Sequence, residues 1–294
     1  MRILLQVPGG LKRKIIEIVA KLEKDGHTVF VSGENCYGAC DLREGEVKLL
    51  KVDKIIHYGH TRFMKSDIPV EYREIRENID VLPILEKEWQ KISEKKICLI
   101  TSLQFVDNLE GVKLFLEENG KAVVIPEGRD DEKKIYPGQV LGCCSSVPKA
   151  DAYLYIGSGS FHATSKELVG KSVYSLDVER GEIRIVDSSQ LLKQKYAAIG
   201  LAKHANSFGI LVSSRRGQFG LAVAEEIRNK LKEQGKHALM IIMDEFSPDK
   251  LMGIEVDCWI NTACPRISID NRTAFGKPIV NVDELNETGL IDKQ

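Results

Sequence analysis

The sequence predicts an α/β protein made of three related small domains with parallel sheets. Three observations carry this. Strand-sized apolar runs alternate with amphipathic helical stretches, and three of those helices stop at a glycine (Gly26, Gly120, Gly235) followed by another apolar run. A short segment led by aspartate also recurs three times in the same relative place. Val52-Asp53-Lys54-Ile55-Ile56-His57-Tyr58-Gly59 matches Ala150-Asp151-Ala152-Tyr153-Leu154-Tyr155-Ile156-Gly157, and then Val256-Asp257-Cys258-Trp259-Ile260-Asn261-Thr262-Ala263. Repetition in order points to triplication of one unit. Alternating strands and helices imply parallel sheets with right-handed crossovers, whose ligands sit beyond the carboxyl ends of the strands.

The first unit begins with a strand over Ile3–Val7 and a Pro8-Gly9-Gly10 turn. Ile15, Ile18, Val19 and Leu22 then recur at helical spacing, and Gly26 ends that helix. Thr28–Ser32 reads as the second strand, Glu44–Lys51 as a short helix and Ile55–Gly59 as the third strand. In the second unit Ile97–Thr101 is a strand, Val106–Glu118 a helix, and Ala122–Ile125 and Ala152–Ile156 are strands. The third unit has strand Gly209–Ser213, helix Leu221–Gln234, strand Ala238–Met243 and strand Cys258–Thr262. Charged or polar stretches at Glu86–Glu94 and Ser188–Lys195 suggest boundaries, giving domains 1–90, 91–190 and 191–294.

The chain of 294 residues is 43% hydrophobic and 29% charged, which allows several buried cores. A net charge of −1 gives no reason to expect direct nucleic-acid binding or attraction to a membrane surface. The longest apolar runs, such as Ala238–Met243, are strand-sized, so no membrane span is expected. A strand directly at the N-terminus, with no signal peptide, and an odd count of 7 cysteines point to the cytoplasm rather than to a disulfide framework.

Cys98 and Cys258 fall inside apolar strands, where cysteine serves as a small hydrophobe. Cys36, Cys40, Cys143, Cys144 and Cys264 fall in loops. Cys40, Cys143 and Cys264 are widely spaced, one to a unit, as if three lobes each sent a thiol to one centre. The first two precede the third strand of their unit, whereas Cys264 follows it. Spacing alone leaves a shared iron–sulfur cluster, structural thiols and a zinc site all open. Cys36 and Cys40 form a C-x3-C pair, but Arg43 stands where the third cysteine of a standard radical S-adenosylmethionine (SAM) motif would be.

The loops themselves carry a resemblance. Asn35-Cys36-Tyr37-Gly38-Ala39-Cys40-Asp41 resembles the Tyr-Gly-Ala-Cys motif of the archaeal diphthamide-synthesis enzymes. Gly138-Gln139-Val140-Leu141-Gly142-Cys143 is similar to that family's Gly-x-x-Leu-Gly-Cys loop, and Ala263-Cys264-Pro265-Arg266-Ile267-Ser268-Ile269-Asp270 to its Ala-Cys-Pro-Arg-Leu-Ser-Ile-Asp signature. His57-Tyr58-Gly59-His60 and Gly157-Ser158-Gly159-Ser160-Phe161-His162 also fit. The resemblance runs from Gln6 to about Asn281. It implies three α/β domains around a 4Fe–4S cluster held by Cys40, Cys143 and Cys264, with Cys144 as a rival for the second position and Cys36 incidental.

The implied reaction is the first step of diphthamide synthesis. The reduced cluster cleaves the bond between sulfur and the methionine γ-carbon of SAM, releasing methylthioadenosine and a 3-amino-3-carboxypropyl radical. That radical adds to an imidazole carbon of a histidine of translation elongation factor 2. An external electron donor and a homodimer are implied as well. Under this resemblance Gly157, Ser158, Gly159 and His162 are expected to contact SAM, because glycine and serine at a strand's end admit close backbone approach. Arg215, Arg216 and Gln218 precede a helix and suit the methionine carboxylate, with Arg216 preferred for its place beside Gly217. Pro8 and Gly9 are expected either to line the same crevice or to form a tight helix entry. Arg266 is read either as a neighbour that tunes the cluster charge or supports a carboxylate, or as one half of a structural ion pair. The rival readings are a quinolinate-synthase-like dehydratase, which also has one cluster cysteine per domain, and a zinc-stabilised interaction module without catalysis.

Overall fold

A computed structural model describes residues 1–143, 147–165 and 167–291. Three sheets arise from successive stretches of the chain. The first contains β1 (Arg2–Gln6), β2 (Thr28–Val31), β3 (Lys54–Tyr58) and β4 (Val70–Arg73), in the order β2-β1-β3-β4 and parallel throughout. Its helices are α1 (Ile15–Lys24), entered through a 3₁₀ turn at Gly9–Lys14, and α2 (Glu44–Leu50). Strand side chains alternate between faces. Ile3 and Leu5 therefore pack under Ile15, Ile18 and Leu22 of α1, while Leu4 packs under Val47 of α2.

The second sheet has β5 (Lys96–Thr101), β6 (Ala122–Val124), β9 (Ala152–Gly157), β10 (Val173–Asp177) and β11 (Glu182–Ile185), ordered β11-β10-β9-β5-β6. A small antiparallel ribbon, β7 (Arg129–Asp130) and β8 (Lys134–Ile135), is inserted before β9. Helices α3 (Leu82–Glu88) and α4 (Leu109–Glu118) cover this sheet through Leu85, Leu109, Val112 and Leu116. The third sheet has β12 (Ser207–Ser213), β13 (His237–Met243), β14 (Cys258–Asn261) and β15 (Ile279–Asn281), ordered β13-β12-β14-β15 and parallel throughout. One face is covered by α5 (Ser189–Lys203), α6 (Leu221–Glu233) and α8 (Val282–Asn286), and α7 (Arg266–Asp270) follows β14. The chain divides into two compact units. One is Met1–Val140, Ser146–His162 and Tyr174–Arg184; the other is Leu141–Ser145, Ala163–Val173 and Ile185–Gln294.

The repeat has a physical basis at two points. Gly26, Gly120 and Gly235 sit at φ of +79°, +79° and +72° just past α1, α4 and α6. In each case the glycine N–H and the next N–H bond back to the helix: Gly26 to Glu23 and His27 to Leu22, Gly120 to Glu117 and Lys121 to Leu116, Gly235 to Lys232 and Lys236 to Leu231. This is the Schellman stop, which places a left-handed residue where a Cβ would be strained. The leucine whose carbonyl is used (Leu22, Leu116, Leu231) is buried each time, worth about 1.5–3 kcal/mol apiece.

The aspartates form the second point. Asp53 accepts from the Arg2 N–H at 2.7 Å, Asp151 from Lys96 N–H at 3.1 Å, and Asp257 from Asn206 and Ser207 N–H at 2.9 and 2.8 Å. In return their own N–H groups donate to the carbonyls of Arg2, Lys96 and Ser207. Each aspartate thus fixes the register of the third strand against the first, at the amino edge of the sheet. A one-residue slip there would turn every core side chain outward.

Candidate functional site

In each of the three larger sheets the chain leaves to opposite sides from a central pair: β1 and β3, β5 and β9, β12 and β14. The crevice beyond the carboxyl ends of such a pair is where open α/β sheets take ligands. Pro8 and Gly9 follow β1, Ser158 to His162 follow β9, Arg215 to Gln218 follow β12, and Cys264 follows β14. Cys40 lies in the loop between β2 and α2, and Cys143 in the loop that precedes β9.

At the first pair, Gly59 turns the chain after β3 at φ +80°, and a Cβ there would stand 3.1 Å from Pro8 Cγ. Pro8 and the His57–His60 turn are therefore neighbours. The Cys40 loop is held by Gln6, the last residue of β1. Its buried amide donates to the Asp41 carbonyl at 2.9 Å and accepts from Arg43 N–H at 3.3 Å. The Cys40 thiol is half-buried. Beside it Cys36 is buried with Sγ 3.9 Å from His57 Nε2, and His57 Nε2 lies 3.0 Å from His60 Nδ1. Burial lowers the His57 pKa to about 3 and the His60 pKa to about 4, and raises the Cys36 thiol to about 12.

At the second pair lies a cavity of about 470 Å³, within the range of small-molecule sites. Ser102 after β5 and Ser158 after β9 line it, with Tyr155, His162, Gln104 and the exposed carboxylates Glu77 and Glu179. His162 stacks on Tyr155, ring centroids 6.0 Å apart, with Nδ1 3.4 Å from the phenol oxygen. A Cβ on Gly157 would come within 2.5 Å of that phenol oxygen, so the glycine is what leaves Tyr155 its place. Gly138 opens the approach to Cys143: Thr101 N–H donates to its carbonyl and Val140 N–H donates to the Thr101 carbonyl, both at 2.8 Å. A side chain at Gly138, φ +70°, would strike Leu109 at 2.4 Å. Cys143 is half-buried, and Cys144 lies outside the described residues.

In the other unit the turn bearing Cys264 hangs on Asn261, the last residue of β14. Its Oδ1 accepts from Ala263 N–H at 3.1 Å, and its Nδ2 donates to the Cys264 carbonyl at 2.9 Å and to Asn281 Oδ1 at 2.8 Å. Gly220 closes the other side, since a Cβ there would stand 2.4 Å from the Thr262 carbonyl oxygen. The two arginines divide: Arg216 is exposed, whereas Arg215 is buried and its Nε donates to Asp244 at 3.4 Å. Arg266 is an ion-pair partner. It bonds Asp270 through two nitrogens and donates to the Thr164 carbonyl at 2.6 Å.

Cys98 and Cys258 are fully buried strand residues, as their apolar surroundings suggest. Gln6, Asn261 and Tyr155 escape a motif-based reading. The signal for the first two was a polar residue closing an otherwise apolar strand, which a buried strand tolerates only with partners in place.

Fold and loops together define a three-sheet α/β protein with thiols presented from loops at strand ends. A family model for diphthamide synthesis proteins matches residues 7–288. A 2-(3-amino-3-carboxypropyl)histidine synthase from Pyrococcus horikoshii is 35% identical over 97% of this chain and 84% of its own length. The synthase of that name from Methanocaldococcus jannaschii is 28% identical over 96% of this chain and 83% of its own. The crystal structure of Dph2 from Pyrococcus horikoshii with a 4Fe–4S cluster matches with a TM-score of 0.87 at 34% identity, over 100% of this chain and 88% of that one. The chain belongs to the diphthamide-synthesis family. That sets aside the quinolinate-synthase-like and zinc-module alternatives.

Proposed function

We propose that this protein is a 2-(3-amino-3-carboxypropyl)histidine synthase that carries out the first step of diphthamide biosynthesis. It transfers the 3-amino-3-carboxypropyl group of SAM to a histidine of translation elongation factor 2 and releases methylthioadenosine. Three lobes, divided near residues 90 and 190, each contribute one thiol. The observation that carries the reading is the contrast among the cysteines. Cys40, Cys143 and Cys264 are half-buried on loops at strand ends, whereas Cys98 and Cys258 are sealed in strands. An all-thiolate donor set suits an iron–sulfur cluster. When bound, the cluster supplies a reducing electron from an external donor and an iron position open to substrate.

The chain's own residues supply placement. The Gly157–His162 cavity is the SAM pocket, with Glu77 and Glu179 suited to the cationic amine and sulfonium. Arg215 and Arg216 with Gln218 are assigned to the methionine carboxylate, and Pro8 and Gly9 to the crevice wall. Among the described residues no helix is long and apolar enough to cross a membrane, compatible with a cytoplasmic enzyme. The family resemblance implies a homodimer. The test is an anaerobic assay of reconstituted, reduced protein with SAM and elongation factor 2. Methylthioadenosine and a factor heavier by the transferred group are expected; deoxyadenosine as the main product, or none, would sink the assignment.

Gly157→Ala tests the pocket separately. The added methyl group meets the Tyr155 phenol, and overpacking of this kind typically costs about 1–3 kcal/mol. SAM affinity should fall by about tenfold or more in equilibrium dialysis, with iron content unchanged. Unaltered affinity would remove SAM from this cavity.

A further inference from the structure

The two histidines at the end of β3 have no part in the three-thiol arrangement, yet they are built closely. His57 is fully buried in the strand and His60 follows the Gly59 turn, so the two rings face each other with centroids 5.2 Å apart. Their ligating atoms and Cys36 Sγ all lie within 4.8 Å of one another. His57 Nε2 faces two lone-pair-bearing atoms at once, His60 Nδ1 at 3.0 Å and Cys36 Sγ at 3.9 Å. A single imidazole nitrogen offers either one hydrogen or one lone pair and cannot bond both neighbours fully. A cation at the centre would satisfy all three atoms.

The spacing fits one. Zinc bonds of about 2.0–2.1 Å to nitrogen and about 2.3 Å to sulfur, at tetrahedral angles, require separations of roughly 3.4 Å between nitrogens and roughly 3.6 Å from nitrogen to sulfur. The two distances from His57, 3.0 and 3.9 Å, lie within a few tenths of an ångström of these, and Cys36 Sγ is within 4.8 Å of the His60 ligand atom. One thiol and two neutral imidazoles also form a donor set that prefers zinc to hard cations such as magnesium or calcium. We infer that Cys36, His57 and His60 form a mononuclear zinc site, distinct from the three cluster thiols, whose fourth position is taken by water. Binding converts the Cys36 thiol to a thiolate and releases one proton to solvent, while the imidazoles exchange none.

The test titrates zinc sulfate alone into anaerobically reconstituted holoenzyme, followed by desalting and elemental analysis of zinc, iron and sulfide in one sample. One zinc per chain beyond the cluster iron is expected. Cys36→Ser and His60→Ala should each weaken zinc binding by at least about tenfold while iron and sulfide stay at wild-type levels, which also shows the variants folded. Three results overturn the site: no zinc retained, zinc held equally by both variants, or iron lost from Cys36→Ser. The last would make Cys36 a servant of the cluster. Because iron and sulfide are read independently, failure of the zinc site is distinct from failure of the cluster assignment.

Discussion

Cys264→Ala should lose most of its iron and make methylthioadenosine at least about a thousandfold more slowly, a barrier rise of roughly 4 kcal/mol. The thiol closes a turn that the fold has already fixed. Asn261 holds the amide before it and the carbonyl after it, and Gly220 backs the turn at Thr262. No described cysteine sits elsewhere in that turn to replace it. The matched control is Cys258→Ala, six residues earlier, where the thiol is fully buried in β14 and burial pushes its pKa up to about 12. That variant should keep its iron and its activity, and lose only the modest packing energy of a small side chain, on the order of 1 kcal/mol. Iron quantitation and product assay on the pair separate a ligand from a core thiol. Equal iron in Cys264→Ala and wild type would remove Cys264 from the ligand set.

Those two cysteines also show what sequence can reveal. Cys258 stands between Asp257 and Trp259 in an apolar run, and Cys264 stands before Pro265 outside it; local context alone assigns one to the core and the other to a loop. The helix stops at Gly26, Gly120 and Gly235 were legible for the same reason, since each does its work within one turn through backbone groups. The recurring Asp53, Asp151 and Asp257 were legible only because they repeat, for their carboxylates clamp a strand 51, 55 and 50 residues away. What escaped depends on distant packing. Glu86–Glu94 looks like a charged connection, yet it includes the end of α3, whose Leu85 is buried against the second sheet while Glu86 and Lys87 face water. Ser188–Lys195 likewise opens α5, whose buried Ala198, Ile199 and Ala202 are too small to mark an apolar stripe. Strands β4, β10 and β15 each flank the third strand of their unit, and β11 lies beyond β10, but no recurring sequence segment announces any of them.

The site divides along the same line. Loop residues that carry chemistry advertise themselves by type and motif, whereas the residues that aim them do not. Gln6 and Asn261 each close the end of a strand and hold a cysteine-bearing loop by both a donor and an acceptor, using the two ends of one amide. Nothing in a linear reading says that Gln6 reaches Asp41 or that Asn261 reaches Asn281. The pairing of β14 with β15 sets Asn261 against Asn281, and the end of β1 brings Gln6 to the loop between β2 and α2, at the crevices where ligands are expected. Catalytic placement in this fold is therefore a consequence of register, and the three aspartate clamps at the opposite edge of the sheets are part of it.

Arg272→Met should destabilise the C-terminal unit by about 3–5 kcal/mol, because it strands a buried carboxylate. Arg272 and Glu284 are each 6% exposed and paired through two nitrogen–oxygen contacts, at 2.6 and 3.0 Å. Both have further partners. Arg272 donates to the Ile279 carbonyl at 2.6 Å, and Glu284 accepts from Asn281 N–H at 2.9 Å in the capping box that starts α8. Asn281 in turn bonds Asn261, so the pair underpins the turn of Cys264 as well as the end of the sheet. Methionine fills much of the volume but leaves Glu284 without its countercharge. Adding Glu284→Gln should recover part of the loss, since a neutral amide still accepts the Asn281 N–H without burying a charge. Trp259 reports the transition directly: it is buried in the cluster that includes Phe275 and Ile279, on the segment Arg272 anchors. With Trp89 replaced by phenylalanine it becomes the sole tryptophan of the 2 in the chain. Urea unfolding followed by its fluorescence should show the single variant well below wild type and the double variant between them. A single variant within about 1 kcal/mol of wild type would show that the ion pair is replaceable by packing alone, as some buried pairs are.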